Sequence, residues 1–218
     1  MALFPGPDSP TYRVWSAAAD VVILNVLTLV GCLPVVTAGA SLTACARVAG
    51  EMVADDDPAV MSTWWRSFRL NLRQSLSWWL PVLVLVALSS WEYLLLSDSS
   101  LGENDGGVSG SLSGLVLAGG VLLAAILVWL LPLAAFFDAP VSRHLSNALR
   151  LAVGRLGVTV LALVIVAAPA IVFWGLAASR APVAWFMVLI GPAFQAYLVA
   201  LLQRSTMVAL RGASTSES

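Results

Sequence analysis

Lysine is absent, histidine occurs once, and charged side chains of every kind make up only 11% of the 218 residues. An ordinary soluble domain carries roughly 25%, so the sequence excludes a water-soluble globule. Eleven basic residues, all arginine, oppose twelve acidic ones. That balance provides neither the basic footprint of a nucleic-acid binder nor a charged disordered tail. The two cysteines, Cys32 and Cys45, fit neither a metal-ligand spacing nor a disulfide framework. His144 has no second histidine or cysteine placed to complete a metal set and reads as a solvated residue beside Arg143. No Gly-rich phosphate loop, nucleophile elbow or paired metal motif is present. The expectation is a protein without catalytic residues, metal or other cofactor.

What the chain has in abundance is apolar surface, at 60% hydrophobic residues. A helix crossing a hydrocarbon core of about 30 Å needs about 20 mostly apolar residues, because lipid offers no partner to backbone N–H and C=O groups. Five stretches meet that requirement, at about 17–34, 76–96, 112–137, 156–178 and 183–202. The expected fold is an all-α polytopic membrane bundle of about five transmembrane helices. It forms one membrane domain over 17–203, preceded by a short extracytoplasmic segment 1–16 and followed by a disordered cytoplasmic tail, 204–218. The first span is read as retained, since 1–16 has no basic leader of the signal-peptide kind.

Arginine placement sets the expected orientation, because basic residues close to the spans stay in the cytoplasm. One side collects Arg47, Arg66, Arg69, Arg73, Arg143, Arg150, Arg155, Arg204 and Arg211, and the other holds Arg13 and Arg180. The N-terminus is therefore expected outside and the C-terminus in the cytoplasm.

Between spans one and two lies a cytoplasmic helical segment, 40–75. Pro34 ends or kinks the first span, and Thr37 or Ser41 can cap a helix over 40–53 in which Arg47 and Glu51 stand at i, i+4. Asp57 and Pro58 are suited to start another helix. In it Met61, Trp64, Trp65, Phe68, Leu72 and Leu76 recur at steps of three and four, with Arg66, Arg69 and Arg73 on the opposite flank. Such a helix is expected to lie in the membrane surface. It is read either as an anchor leading into the second span or as a docking surface for another membrane protein, through Trp64, Trp65, Arg66, Phe68, Arg69 and Arg73.

Ionisable residues inside a membrane are candidates for function. Asp20 and Glu92 lie near the outer ends of their spans and Asp138 at the inner end of the third, so each can reach an interface. Asp20, Glu92 and Gln195 form the candidate intramembrane polar site. Asn25, Thr28 and Cys32 share one helical stripe, read as a packing face. Gly119 and Gly120 are read as packing elements, and Pro132, Pro169 and Pro192 interrupt spans three to five and could open a polar cavity between them.

The run Leu24-Asn25-Val26-Leu27, then Leu33-Pro34-Val35-Val36-Thr37-Ala38-Gly39-Ala40, then Thr43-Ala44, and later Phe68-Arg69-Leu70-Asn71-Leu72-Arg73-Gln74-Ser75 resembles the YesL family of bacterial integral membrane proteins, which carry a domain of unknown function. The likeness is closest over about 23–80, with a weaker echo at Leu131-Pro132-Leu133, Phe137 and Asn147-Ala148-Leu149. Asn25, Pro34, Thr37, Gly39, Asn71 and Gln74 are the motif positions it marks. The chain departs from the pattern at Cys45-Ala46, where aromatic residues are expected, and in carrying arginine where many relatives have lysine.

Members are often encoded beside importers of sugars or oligosaccharides of the ATP-binding-cassette type. The resemblance thus implies a non-catalytic protein of the bacterial cytoplasmic membrane, accessory or regulatory to such an importer. Its partners would be the lipid bilayer and importer permease subunits, with a homo-oligomer also compatible and no nucleic acid involved. The rival reading is a small solute transporter or channel that uses the kinked spans.

Overall fold

A computed structural model of the chain describes the backbone of residues 10–56, 58–98 and 106–216, and the side chains of 14–56, 58–91, 94 and 114–212. Every regular element among them is helical. In chain order these are α1 (Pro10–Cys32), α2 (Ala38–Val53), α3 (Val60–Asp98), α4 (Gly106–Phe136), α5 (Val141–Gly154), α6 (Leu156–Gly175), α7 (Arg180–Leu189) and α8 (Gly191–Ser216). Short 3₁₀ turns, Val35–Thr37 and Ala177–Ser179, lead into α2 and α7.

Among the described residues, four helices are long and apolar enough to cross a membrane, within α1, α3, α4 and α6, and the pair α7 and α8, bent by 74°, makes a fifth crossing if taken as one broken span. Their outer surfaces carry Leu85, Leu88, Leu117, Leu161, Val164 and Ile171, all exposed. Exposed to water, each such side chain would forgo the 1.5–3 kcal/mol or so that burial provides. Against lipid tails this cost vanishes. The architecture is that of an all-α polytopic bundle, whose few buried residues mark helix contacts.

Two clusters make those contacts. In the first, Trp129, Leu130 and Leu133 of α4 meet Ala148 and Ala152 of α5 and Ala162 of α6. It is pinned where the Trp129 indole donates to Thr159 Oγ1 at 2.9 Å and that hydroxyl donates to the Ala152 carbonyl at 3.0 Å. In the second, Leu24 of α1, Ala44, Cys45 and Val48 of α2, Trp64 of α3 and Ala193 of α8 close together.

The segment expected as a disordered tail, 204–218, is helical as far as Ser216, as the end of α8, and the structure differs from the sequence reading in three further elements. First, α2, expected as a cytoplasmic helix over 40–53, starts at Ala38 and lies inside the bundle. Ten of its 16 residues are buried, and it packs against α1, α3, α4 and α8 as the hub of the bundle. Its ionic residues are matched internally, since Arg47 pairs with Glu51 and donates to the Ala135 carbonyl at 2.8 Å.

Second, the expected interfacial helix and second span are one helix, α3, of 39 residues. Nothing between Val60 and Leu80 breaks it, and its polar residues bond back along it, Asn71 Nδ2 to the Ser67 carbonyl at 2.9 Å and Ser75 Oγ to the Asn71 carbonyl at 2.6 Å. At 1.5 Å per residue α3 is about 58 Å long, nearly twice the hydrocarbon thickness. Asp57, expected to cap it, lies outside the described residues. Third, the fifth span is not one helix over 183–202. It breaks at Ile190, between α7 and α8.

Candidate functional site

A helix end leaves four carbonyls or four amides without intrahelical partners, and lipid supplies none. The α7–α8 break creates one set of each. Ile190 N–H bonds the Phe186 carbonyl at 3.0 Å and Phe194 N–H the Ile190 carbonyl at 2.9 Å. Pro192, in the first turn of α8, has no N–H to satisfy. Asn25 of α1, fully buried, meets both sides of the break. Its Nδ2 donates to the Val188 carbonyl at 2.8 Å, with the Met187 carbonyl at 3.4 Å, and its Oδ1 accepts from Ala193 N–H at 3.1 Å. One primary amide thus clamps a discontinuous helix against α1.

Other polar side chains within the bundle are used alike. Gln195 Nε2 donates to the Ile165 carbonyl at 2.8 Å, where Pro169 of α6 leaves that acceptor without its usual i+4 donor. Gln203 Nε2 donates to the Val128 carbonyl, which Pro132 of α4 leaves open in the same way, at 3.0 Å. A glutamine from α8 thus answers the carbonyl that each of these two prolines leaves open.

The remaining motif residues build the α1–α2 corner and the α3–α5 junction. Thr37 Oγ1 reaches the Gly31 and Pro34 carbonyls, both at 2.8 Å, and the Trp79 indole donates to the Val35 carbonyl at 2.8 Å. Gly39 lies so close to α3 that a Cβ there would meet Trp79 Cβ at 2.8 Å. Ser41 Oγ donates to the Thr28 carbonyl and Thr28 Oγ1 to that of Leu24. Gln74 Nε2 donates to the Ala139 carbonyl at 2.7 Å, fastening α3 to the turn before α5.

Of the expected docking residues, Trp65, Arg66, Arg69 and Arg73 are exposed and Phe68 is half-buried. Trp64 is buried against α1 and α2, and Gly31 gives it room. Its position is a correction: an amphipathic pattern shows that one face needs an apolar cover, and here protein supplies that cover instead of lipid headgroups. Trp64 and Phe68 stack at 5.0 Å, and Phe68 passes the contact on to Trp65 at 5.9 Å.

His144 is likewise corrected. It is buried, 2% exposed, and its Nε2 has no partner among the described residues. Burial lowers its pKa below the usual imidazole value, opposed by the Asp138 carboxylate and the Ala139 carbonyl. Gly119 and Gly120, read as packing elements, face open space on α4. Asp20 is half-buried on α1, whereas the Glu92 side chain lies outside the described residues. Gln195 is bonded to α6, and no group of three metal-ligating side chains comes together among the described residues.

The sequence reading missed an apolar groove between α2, α4 and α8, of about 380 Å³. Leu42 and Ala46, Leu127 and Leu131, and Val199 and Ala200 form its walls, and Arg204 and Arg211 also line it. The Arg47 and Arg211 guanidiniums both lie over the Phe136 ring, at 4.6 and 3.9 Å from its centre. The signal available in the sequence was the i, i+7 spacing of Arg204 and Arg211 on a helix rich in small residues.

Residues 21–93 match a family model described as a protein of unknown function, DUF624. No curated protein and no solved structure matches the chain. The matched stretch runs from α1 through α2 into α3, so it contains the clamp residue Asn25, the Pro34–Gly39 corner and Gln74.

Proposed function

We propose that this chain is a non-catalytic multi-pass protein of the bacterial cytoplasmic membrane, of the YesL kind, accessory or regulatory to a carbohydrate importer of the ATP-binding-cassette type. Its N-terminus lies outside and its C-terminus in the cytoplasm. One observation carries the reading. The part of α3 in excess of a membrane span presents Met61, Trp65 and Leu70 together with Arg66, Arg69 and Arg73 to the surroundings, next to α5 with exposed Leu145, Leu149, Arg143 and Arg150. Exposed aromatic and arginine side chains are what partner surfaces concentrate. The rival transporter reading loses support because Asn25, Gln195 and Gln203 hold backbone groups of neighbouring helices.

Affinity capture of the full chain in native lipid, followed by identification of co-purifying subunits, tests this. Importer permease subunits are expected, and changing Trp65→Ala, Arg69→Glu and Arg73→Glu together should lower their recovery about tenfold or more, as loss of one interface hot spot of roughly 2 kcal/mol does. Solute flux through vesicles containing the purified chain alone, abolished by Gln195→Leu, would instead establish the transporter.

A further inference from the structure

We propose that the groove between α2, α4 and α8 holds an acyl chain of a phospholipid, whose phosphate sits at Arg204 and Arg211. The volume, about 380 Å³, falls within the roughly 300–1,000 Å³ of ligand sites. Its walls are almost wholly apolar, and the two amides that border it, Gln195 and Gln203, already donate to α6 and α4 carbonyls. A polar solute would therefore lose its hydration with little in return. An alkyl chain loses nothing.

The length of the groove matches the depth of a leaflet. From Gln195 to Arg204 is nine residues of α8, about 14 Å at 1.5 Å each. That is close to half of the roughly 30 Å hydrocarbon core. The charged end holds Arg204 and Arg211 one above the other. Arg204 faces Asp55 at 3.6 Å with both side chains exposed, a solvated pair contributing at most about 1 kcal/mol, which a phosphate can displace. Arg47 shares the Phe136 ring with Arg211, while its neighbour Glu51 answers its charge. Guanidinium forks match phosphate oxygens. This inference is independent of the importer reading.

The test uses the purified full chain in detergent with phosphatidylglycerol bearing a diazirine midway along one acyl chain. Photolysis and peptide mass spectrometry should place adducts on lining residues such as Ala46, Leu131, Ala196 and Val199. Ala200→Trp, which fills the groove, should cut that yield about tenfold. Because that variant can misfold, Arg204→Gln with Arg211→Gln provides a second arm. It should lower labelling by the phosphatidylglycerol probe severalfold and leave labelling by a diacylglycerol carrying the same diazirine unchanged.

Adducts confined to outward residues such as Leu161 and Val164 would overturn the proposal. So would competition by millimolar inorganic phosphate, which would mark a free-anion site, or a crosslink joining two copies of the chain through the groove.

Discussion

Asn25 shows how much one side chain can carry in a medium without water. Hydrogen bonds between transmembrane helices average about 0.6 kcal/mol, because helices parted in the membrane find other partners. The Val188 carbonyl and Ala193 amide stand at a fixed break and have no such alternative, so the cost of an orphaned buried group, about 1–3 kcal/mol each, applies. Asn25→Leu keeps the side-chain size and removes both bonds. It should lower stability by about 2–6 kcal/mol, seen as a drop of several degrees in the unfolding midpoint of the detergent-solubilised chain. A midpoint equal to that of the wild type would mean that the break satisfies itself without the clamp. That Asn25 faces inward follows from its stripe with Thr28. Its partners are more than 160 residues away in the chain, and no local pattern points to them.

At the scale of the element, the spans were legible because lipid forces long apolar helices, and α1, α3, α4 and α6 obey that demand in composition alone. The role of the first part of α3 was not. A short amphipathic helix looks the same whether headgroups or neighbouring helices cover its apolar face, so only the packing of α1 over Trp64 and of α8 over α2 settles the matter. Glycines divide on the same ground. Gly39→Ala drives a Cβ into Trp79 Cβ, an atom too near its own backbone to swing aside. The helices must move apart, at about 1–3 kcal/mol. Gly119→Ala meets nothing within 4 Å and should be neutral or stabilising by up to about 1 kcal/mol. Unfolding midpoints of the two variants should therefore diverge. If both fell alike, the α2–α3 contact would not be the tight one.

For the whole molecule the open choice is whether α7 and α8 cross the membrane or turn back within it, since that fixes the number of crossings and the side of the C-terminus. Contacts at the two ends of the bundle favour crossing. The chain leaves α5, with Arg143 and Arg150, and runs along the 20 residues of α6, about 30 Å, before reaching Arg180. It then returns through α7 and α8 until Arg211 lies on Phe136 at the end of α4, beside Arg47. The end of α8 thus rejoins the end of the bundle from which α6 departed. A re-entrant turn would have left Arg211 near Arg180. If α7 and α8 cross, five crossings place the two termini on opposite sides, and the orientation proposed above from the arginine bias puts the C-terminus in the cytoplasm. A fluorescent protein that matures only inside the cell, fused after Ser218, should then fluoresce. A periplasmically activated phosphatase at the same position should stay silent there and become active when inserted within 99–105. The reverse pattern at Ser218 with the 99–105 fusion still active would show that α7 and α8 turn back.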